Sequence, residues 1–429
     1  MFTKIFLFVY KVVHYRVHLS GVLIMIHKNS EKGQAIILIV FAIVGLIGLT
    51  GLTVDGGLVY SDRRQAQNAA DSAALAAALA KSRNENITTA AQNVATTNGY
   101  NNNGTTNIVT VTIASSPAGV CPPLAINNQD ITVEITSFVD TTFSTVVGIQ
   151  QVSNTVTATT RACDTYIAPI FGGNAIVGLN PNTNGCAFDK GNSNAANWTV
   201  TGGGIFSNGC AYSNNSNSVT LDNDKCVTAV GTASIFTCSQ AGTMINYPTD
   251  VLAIMPPDPC DGTPGDVGLP QPAPNGDSVY ITDGVYCITN FDAYDKKDII
   301  LDNATLYVTD MVFNLKFAGG GGFSGTPTET GTYSSYYMII AYDPTPCTAF
   351  NDNNAQVIQY RGNGAGALYG TILAPSACID FRGNSNGSAV HSQIIGYMVS
   401  SNGNASVSVD YQANENRQQS VNPTIELIK

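Results

Sequence analysis

The sequence predicts an α+β fold, mainly β: one long amino-terminal α-helix, apolar and then Ala-rich, a small α+β unit, and a β-rich remainder held by disulfides. Three observations lead there. Residues 33–54, GQAIILIVFAIVGLIGLTGLTV, carry no charge. Residues 66–80 hold nine alanines. All ten cysteines lie at or beyond position 121, in a region of period-two alternation broken by Gly and Asn. The resulting division is 1–32 as a leader, 33–54 as a transmembrane helix, 55–83 as an Ala-rich helix, 84–163 as the small α+β unit, and 164–429 as the β-rich domain.

The uncharged run amounts to about 33 Å of helix, enough to cross a hydrocarbon core of ~30 Å. It is longer than the apolar part of a secretory signal, and no small-x-small cleavage site closes it. A retained single span is therefore expected, with the lipid bilayer as its surroundings. Lys28 and Lys32 precede the run and Asp55 follows it, which sets the amino end on the cytoplasmic side by a narrow margin. The cysteines decide the orientation. Disulfides need an oxidising space, so residues 55–429 belong on the extracytoplasmic side. Residues 1–24 show no clean period, and Met25 opens a tidier leader, MIHKNSEKG, so a start at Met25 stands as an open alternative to one at Met1.

In the Ala-rich helix, Ala66, Ala69, Ala70, Ala73, Ala77 and Ala80 recur at steps of three and four and share one face, with Asn68, Asp71 and Ser72 on another. Alanine holds a helix with little outside help. A methyl-lined face also lets a second helix approach nearly to backbone contact, as small residues do in membranes. The stripe therefore predicts a helix-packing surface, expected here to meet helices of neighbouring proteins, with a plain spacer helix as the alternative.

The run GLTVDGGLVYSDRRQAQNAADSAALAAA resembles the amino-terminal region of TadE/TadG-like proteins of the tight-adherence (Flp) pilus assembly system. In that family a basic residue and Gly open the span, an Asp closes it, an aromatic and basic residues follow, and an Ala-rich helix ends the motif. Lys32, Gly33, Asp55, Tyr60, Arg63, Arg64, Gln67, Ala70 and Asp71 occupy those places. The resemblance implies a pilin-like, single-pass envelope protein whose partners are other pilin-like or pilus-assembly membrane proteins. It does not extend to processing, because Leu38 stands where a processed prepilin carries Glu.

Beyond the helix, a short helix is predicted around Ala90 to Ala95. Strands are predicted at NIVTVTIASS, DITVEITSFV and VSNTVTATTRA, with one or two helical turns in TTFSTVVGI between the last two. This arrangement also resembles the region that follows the membrane helix in the same family. After Cys163 the phrases QYRGNG (359–364), DFRGNSNG (380–387) and SSNGNAS (400–406) return at steps of about 20 residues. FDKGNSN at 188–194 echoes them. Such a period predicts stacked rungs of a parallel β-solenoid with Gly and Asn at the corners; a β-sandwich is the alternative. GALYGTILAPSACIDF also resembles rungs of bacterial surface-protein domains, including those termed choice-of-anchor A.

Cys121, Cys163, Cys186, Cys210, Cys226, Cys238, Cys260, Cys287, Cys347 and Cys378 contain no CxxC pair, so disulfides are expected rather than zinc ligation. Pairing of sequential neighbours, such as Cys226 with Cys238, is the simplest connectivity, although spacing alone leaves it open. A formal charge of −11 argues against nucleic acid as a partner.

Signals for catalysis are weak. GNSNG at 383–387 fits GxSxG with Ser385 at its centre, Asp380 before it and His391 after, but the following SAVHSQIIGYMV reads as a strand where a nucleophile elbow needs a helix. FAGGGGFSG contains GxGxxG without a following Lys or helix. Asp222 and Asp224, and Asp292, Asp295 and Asp298, are close enough in sequence for a structural calcium ion but lack the EF-hand pattern. No enzyme and no cofactor are expected. The role expected is a structural component displaying a β domain to a surface ligand. The rivals are a cell-surface adhesin using a pilin-like anchor and a secreted β-helix carbohydrate-active enzyme.

Overall fold

The computed structural model describes residues 34–182, 185–192, 196–260, 278–317, 322–361, 368–382 and 391–429. The chain forms two compact units, one of Met1–Ile113, Ile131–Thr160 and Leu427–Lys429, the other of Ala114–Asp130 and Arg161–Glu426. The excursion 114–130 belongs to the second unit, where Cys121 is bonded to Cys163. A linear reading of the sequence places it with the strands on either side.

In the first unit, α1 runs unbroken over Gln34–Ser82, so the apolar and Ala-rich segments form one rod. It ends where Asn84 takes a left-handed conformation, φ 56°, as Asn tolerates at a helix end. Helix α2, Ile87–Thr97, starts at Asn86, whose side chain accepts from the Thr89 N–H. Strands β1 (Asn107–Ser115), β2 (Gln129–Asp140) and β3 (Gln151–Cys163) lie side by side in that order. The carboxyl end returns beside β3, where the Ile428 N–H donates to Thr159 O at 2.9 Å. Alternation gives the sheet one covered face: Ile131, Val133, Ile135 and Ser137 from β2, and Asn154, Val156, Ala158 and Thr160 from β3, are buried.

The second unit is built mostly of parallel ladders. Tyr369–Arg382 pairs in parallel with His391–Asn402, and Ser278–Ile288 with Asp298–Val308. The sequence echoes fall in register: Gln359 lies beside Asp380, and Asp380 beside Ser400. These pairings are parallel, which an antiparallel sandwich lacks. Between the rungs, Tyr360 stacks on Phe381 with centroids 4.8 Å apart, and Trp198 meets Phe381 edge-on at 5.3 Å.

Rung order departs from chain order. His391–Asn402 is flanked on one side by Tyr369–Arg382 and on the other by Asn174–Gly178 and Cys186–Asp189. The last long strand therefore joins two halves of the stack, and the distant FDKGNSN echo is explained because Asp189 sits beside Ser400. The five disulfides are Cys121–Cys163, Cys186–Cys210, Cys226–Cys238, Cys260–Cys287 and Cys347–Cys378, each joining sequential neighbours.

Candidate functional site: the helix shoulder

A carboxylate at the end of an apolar span needs donors or water, and Asp55 has donors. It is buried on the face of α1 that meets the β2–β3 connection. Its Oδ1 accepts the Thr142 N–H at 3.0 Å, and its Oδ2 accepts the Phe143 N–H at 3.0 Å, the Ser144 N–H at 2.6 Å and the Ser144 hydroxyl at 2.7 Å. These residues open the 3-10 turn Ser144–Val147, whose free N–H groups suit an anion. The Ser144 hydroxyl above all, with the backbone N–H groups of 142–144, holds the Asp55 carboxyl below its ordinary value. The motif aspartate is thus a clasp between helix and loop.

Two helical turns further on, Asp62 makes a second clasp that the sequence reading did not single out. Its carboxylate accepts the Asn154 side-chain N–H at 2.8 Å, the Tyr100 hydroxyl at 3.2 Å and the Ser137 hydroxyl. Burial, and then the Asp62 charge, push the Tyr100 phenol well above its ordinary range. The available signal was spacing: Asp62 follows Asp55 by seven residues and shares its face. Gln67 completes the row, donating to Asp71 Oδ1 at 2.7 Å and to Thr157 O at 3.3 Å.

The alanines continue this covered face. Ala66, Ala69, Ala70, Ala73, Ala77 and Ala80 are all buried, as are Ala74 and Ala78. The helix packs against α2, which buries Ala91 and Ala95, and Gln67 and Asn154 tie it to the sheet. The small side chains allow close approach, as their pattern predicts, but their partner is a correction. They are covered within their own unit, so the face expected to meet neighbouring proteins is already occupied. Periodicity reports that a face is buried and cannot say by what.

Other motif residues serve differently. Tyr60, Arg63 and Arg64 are exposed, and Lys32 and Gly33 lie outside the described residues. So does Ser385 of GxSxG. Asp380 accepts from Ser400 Oγ at 2.7 Å and pairs with Arg382, whereas His391 stacks on Tyr369 and lies 3.2 Å from Asp410. Asp380 and His391 thus have separate partners. Among the described residues no three His, Cys, Asp or Glu side chains converge as a metal site. Asp222, Asp292 and Asp295 instead accept the N–H groups of Gly202, Asn314 and Lys316, and Asp224 pairs with Lys225.

The first half of α1 contrasts with its clasped second half. From Ile36 to Leu58 its large apolar side chains are exposed, and the helix is long and apolar enough to cross a membrane. Comparison with curated proteins and with solved structures gives no match. Comparison with protein families gives a match over residues 33–80 to the family described as "Putative Flp pilus-assembly TadE/G-like". The exposed apolar rod, the Asp55 clasp and the covered alanines all fall in that stretch, and over it the chain is similar to TadE/G-like proteins of Flp pilus assembly.

Proposed function

We propose that this chain is a non-enzymatic, pilin-like accessory component of Flp pilus assembly, held in the membrane by α1 and carrying its β-rich unit on the extracytoplasmic side. The observation that carries the reading is the coincidence of the family match with the clasped helix: the matched residues both leave the apolar rod free for lipid and fasten its continuation to a folded unit. Orientation is supported by the five disulfides, which belong to an oxidising compartment. The non-enzymatic reading is supported by how the candidate catalytic and metal-binding groups are used, as backbone acceptors and rung fasteners.

The partners on this reading are other pilus-assembly membrane proteins. Because the alanine face is covered, contact with them falls to the apolar span and to exposed surface. Cross-linking the full chain in native membranes, followed by mass spectrometry, tests it. Recovery of pilus-assembly proteins is expected; recovery of the chain alone, with surface binding intact, would instead establish a free adhesin on a pilin-like anchor. Membrane-impermeant labelling of an added tag at the carboxyl end tests orientation, and a protected tag would overturn it.

A further inference from the structure

We propose that the β2–β3 connection, Thr142–Gln150, is a second membrane contact, laying Phe143, Val146 and Ile149 against the boundary between lipid headgroups and acyl chains beside α1. This rests on the reading of α1 as a membrane span. The level of the loop is fixed by Gly51. A Cβ placed there would come within 2.5 Å of Phe143 Cβ and 2.8 Å of its Cγ, so the Phe143 ring sits directly on the helix at that residue. Gly51 lies three residues before the end of the uncharged run, about 4.5 Å along the axis. Whatever surrounds the last turn of the span therefore also surrounds Phe143.

The loop is built for that position. Phe143, Val146 and Ile149 are 44%, 89% and 48% exposed, a large apolar display for so short a connection. No ionisable residue occurs from Thr141 to Thr160. Two carboxylates border the loop: Asp140, just before Thr141, accepts the Gln151 side-chain N–H at 2.9 Å, and Asp55 is consumed by the N–H groups of Thr142, Phe143 and Ser144. That clasp holds the loop at one height on the helix.

Leu49, Leu52 and Val54, within three residues of Gly51 along the rod, are exposed as well, so the surroundings proposed for this part of the span, lipid, are also those of the loop. A short apolar segment at the headgroup boundary adds binding in proportion to the area it buries. It also turns a single-point anchor into a two-point one, restricting the tilt of the unit over the membrane.

The test uses the full chain in vesicles containing lipids brominated either just below the carbonyls or deep in the acyl chain. The native Trp198 is buried and serves as background. Three variants each add one Trp: Phe41→Trp in the span, Val146→Trp in the loop, and Leu79→Trp, some 37 Å beyond Val54 along α1. The expected result is strong quenching of Phe41→Trp by deep bromines, strong quenching of Val146→Trp by shallow ones, and none of Leu79→Trp. If Phe41→Trp is quenched and Val146→Trp is not, the loop proposal is overturned while the anchor stands. A blue-shifted yet unquenched Val146→Trp would assign the loop to a protein neighbour and overturn it equally. An unquenched Phe41→Trp removes the span itself, and the loop proposal with it.

Discussion

Replacing Ala73 by leucine is the sharpest test of the covered alanine face. Ala73 is fully buried, and the two residues have nearly equal helix propensity, so the helix alone would tolerate the change. The cost arises from inserting extra carbons where backbones already approach closely, typically about 1–3 kcal/mol. Ser72→Leu adds a similar side chain one position along, on the exposed side, and serves as the reference. Amide hydrogen exchange on the detergent-solubilised full chain reads the difference. Amides of Val133 and Ile135 in β2 are expected to open roughly 5- to 150-fold more often in Ala73→Leu, the factor corresponding to 1–3 kcal/mol. Those of Ile339 in the second unit are expected to be unchanged. Equal protection in the two variants would refute the reasoning. If Ala73→Leu also abolished co-assembly in membranes, the alanines would face a neighbour after all.

Asp55→Asn is expected to speed amide exchange at Phe143 and Ser144 at neutral pH. Because the folded carboxyl titrates below its ordinary 3.8, the stabilisation it lends is complete above ~4 and is lost as pH falls through the folded value. Wild type should therefore converge on the variant only in that acid range, and identical profiles at neutral pH would contradict the clasp. Removing Cys347 and Cys378 together, as alanines, should destabilise the second unit more than removing Cys226 and Cys238. The separations are 31 and 12 residues, a chain-entropy difference of roughly 0.8 kcal/mol, and the reverse order in urea midpoints would count against that account. In Ser401→Ala the Trp198 indole, which donates to Ser401 Oγ at 2.7 Å, is left without its partner at a cost of ~1–3 kcal/mol. Trp198, the one tryptophan in the chain, reports the loss by its own fluorescence, and an unshifted unfolding midpoint would dismiss it.

Much of this architecture is legible in the sequence because it depends on local chemistry. An uncharged run, a step of three and four, an alternation of two and a repeat near 20 each report which side chains share a face, and all four reappear in α1, β2, β3 and the parallel ladders. Cys186 pairs with Cys210 because the two lie opposite each other on adjacent parallel strands. What stays hidden is the identity of the partner across each face. Ala73 looks the same whether its neighbour is α2 or another protein. The Asp62, Tyr100, Ser137 and Asn154 cluster joins residues separated by up to 92 positions, and only the folded sheet brings them together. The insertion of His391–Asn402 beside Asn174–Gly178 is likewise a topological fact, hinted at only by the FDKGNSN echo.

That insertion bears on how the molecule is made. A chain made from its amino end delivers Asn174–Gly178 long before His391–Asn402, so the early strands form with one edge bare and must wait more than two hundred residues for their neighbour. Exposed strand edges in a slow, long-range topology invite wrong pairings. On the proposed extracytoplasmic orientation, maturation of this unit is tied to completed export, and the bonds Cys186–Cys210 and Cys226–Cys238, both within the waiting segment, can brace it in the interval.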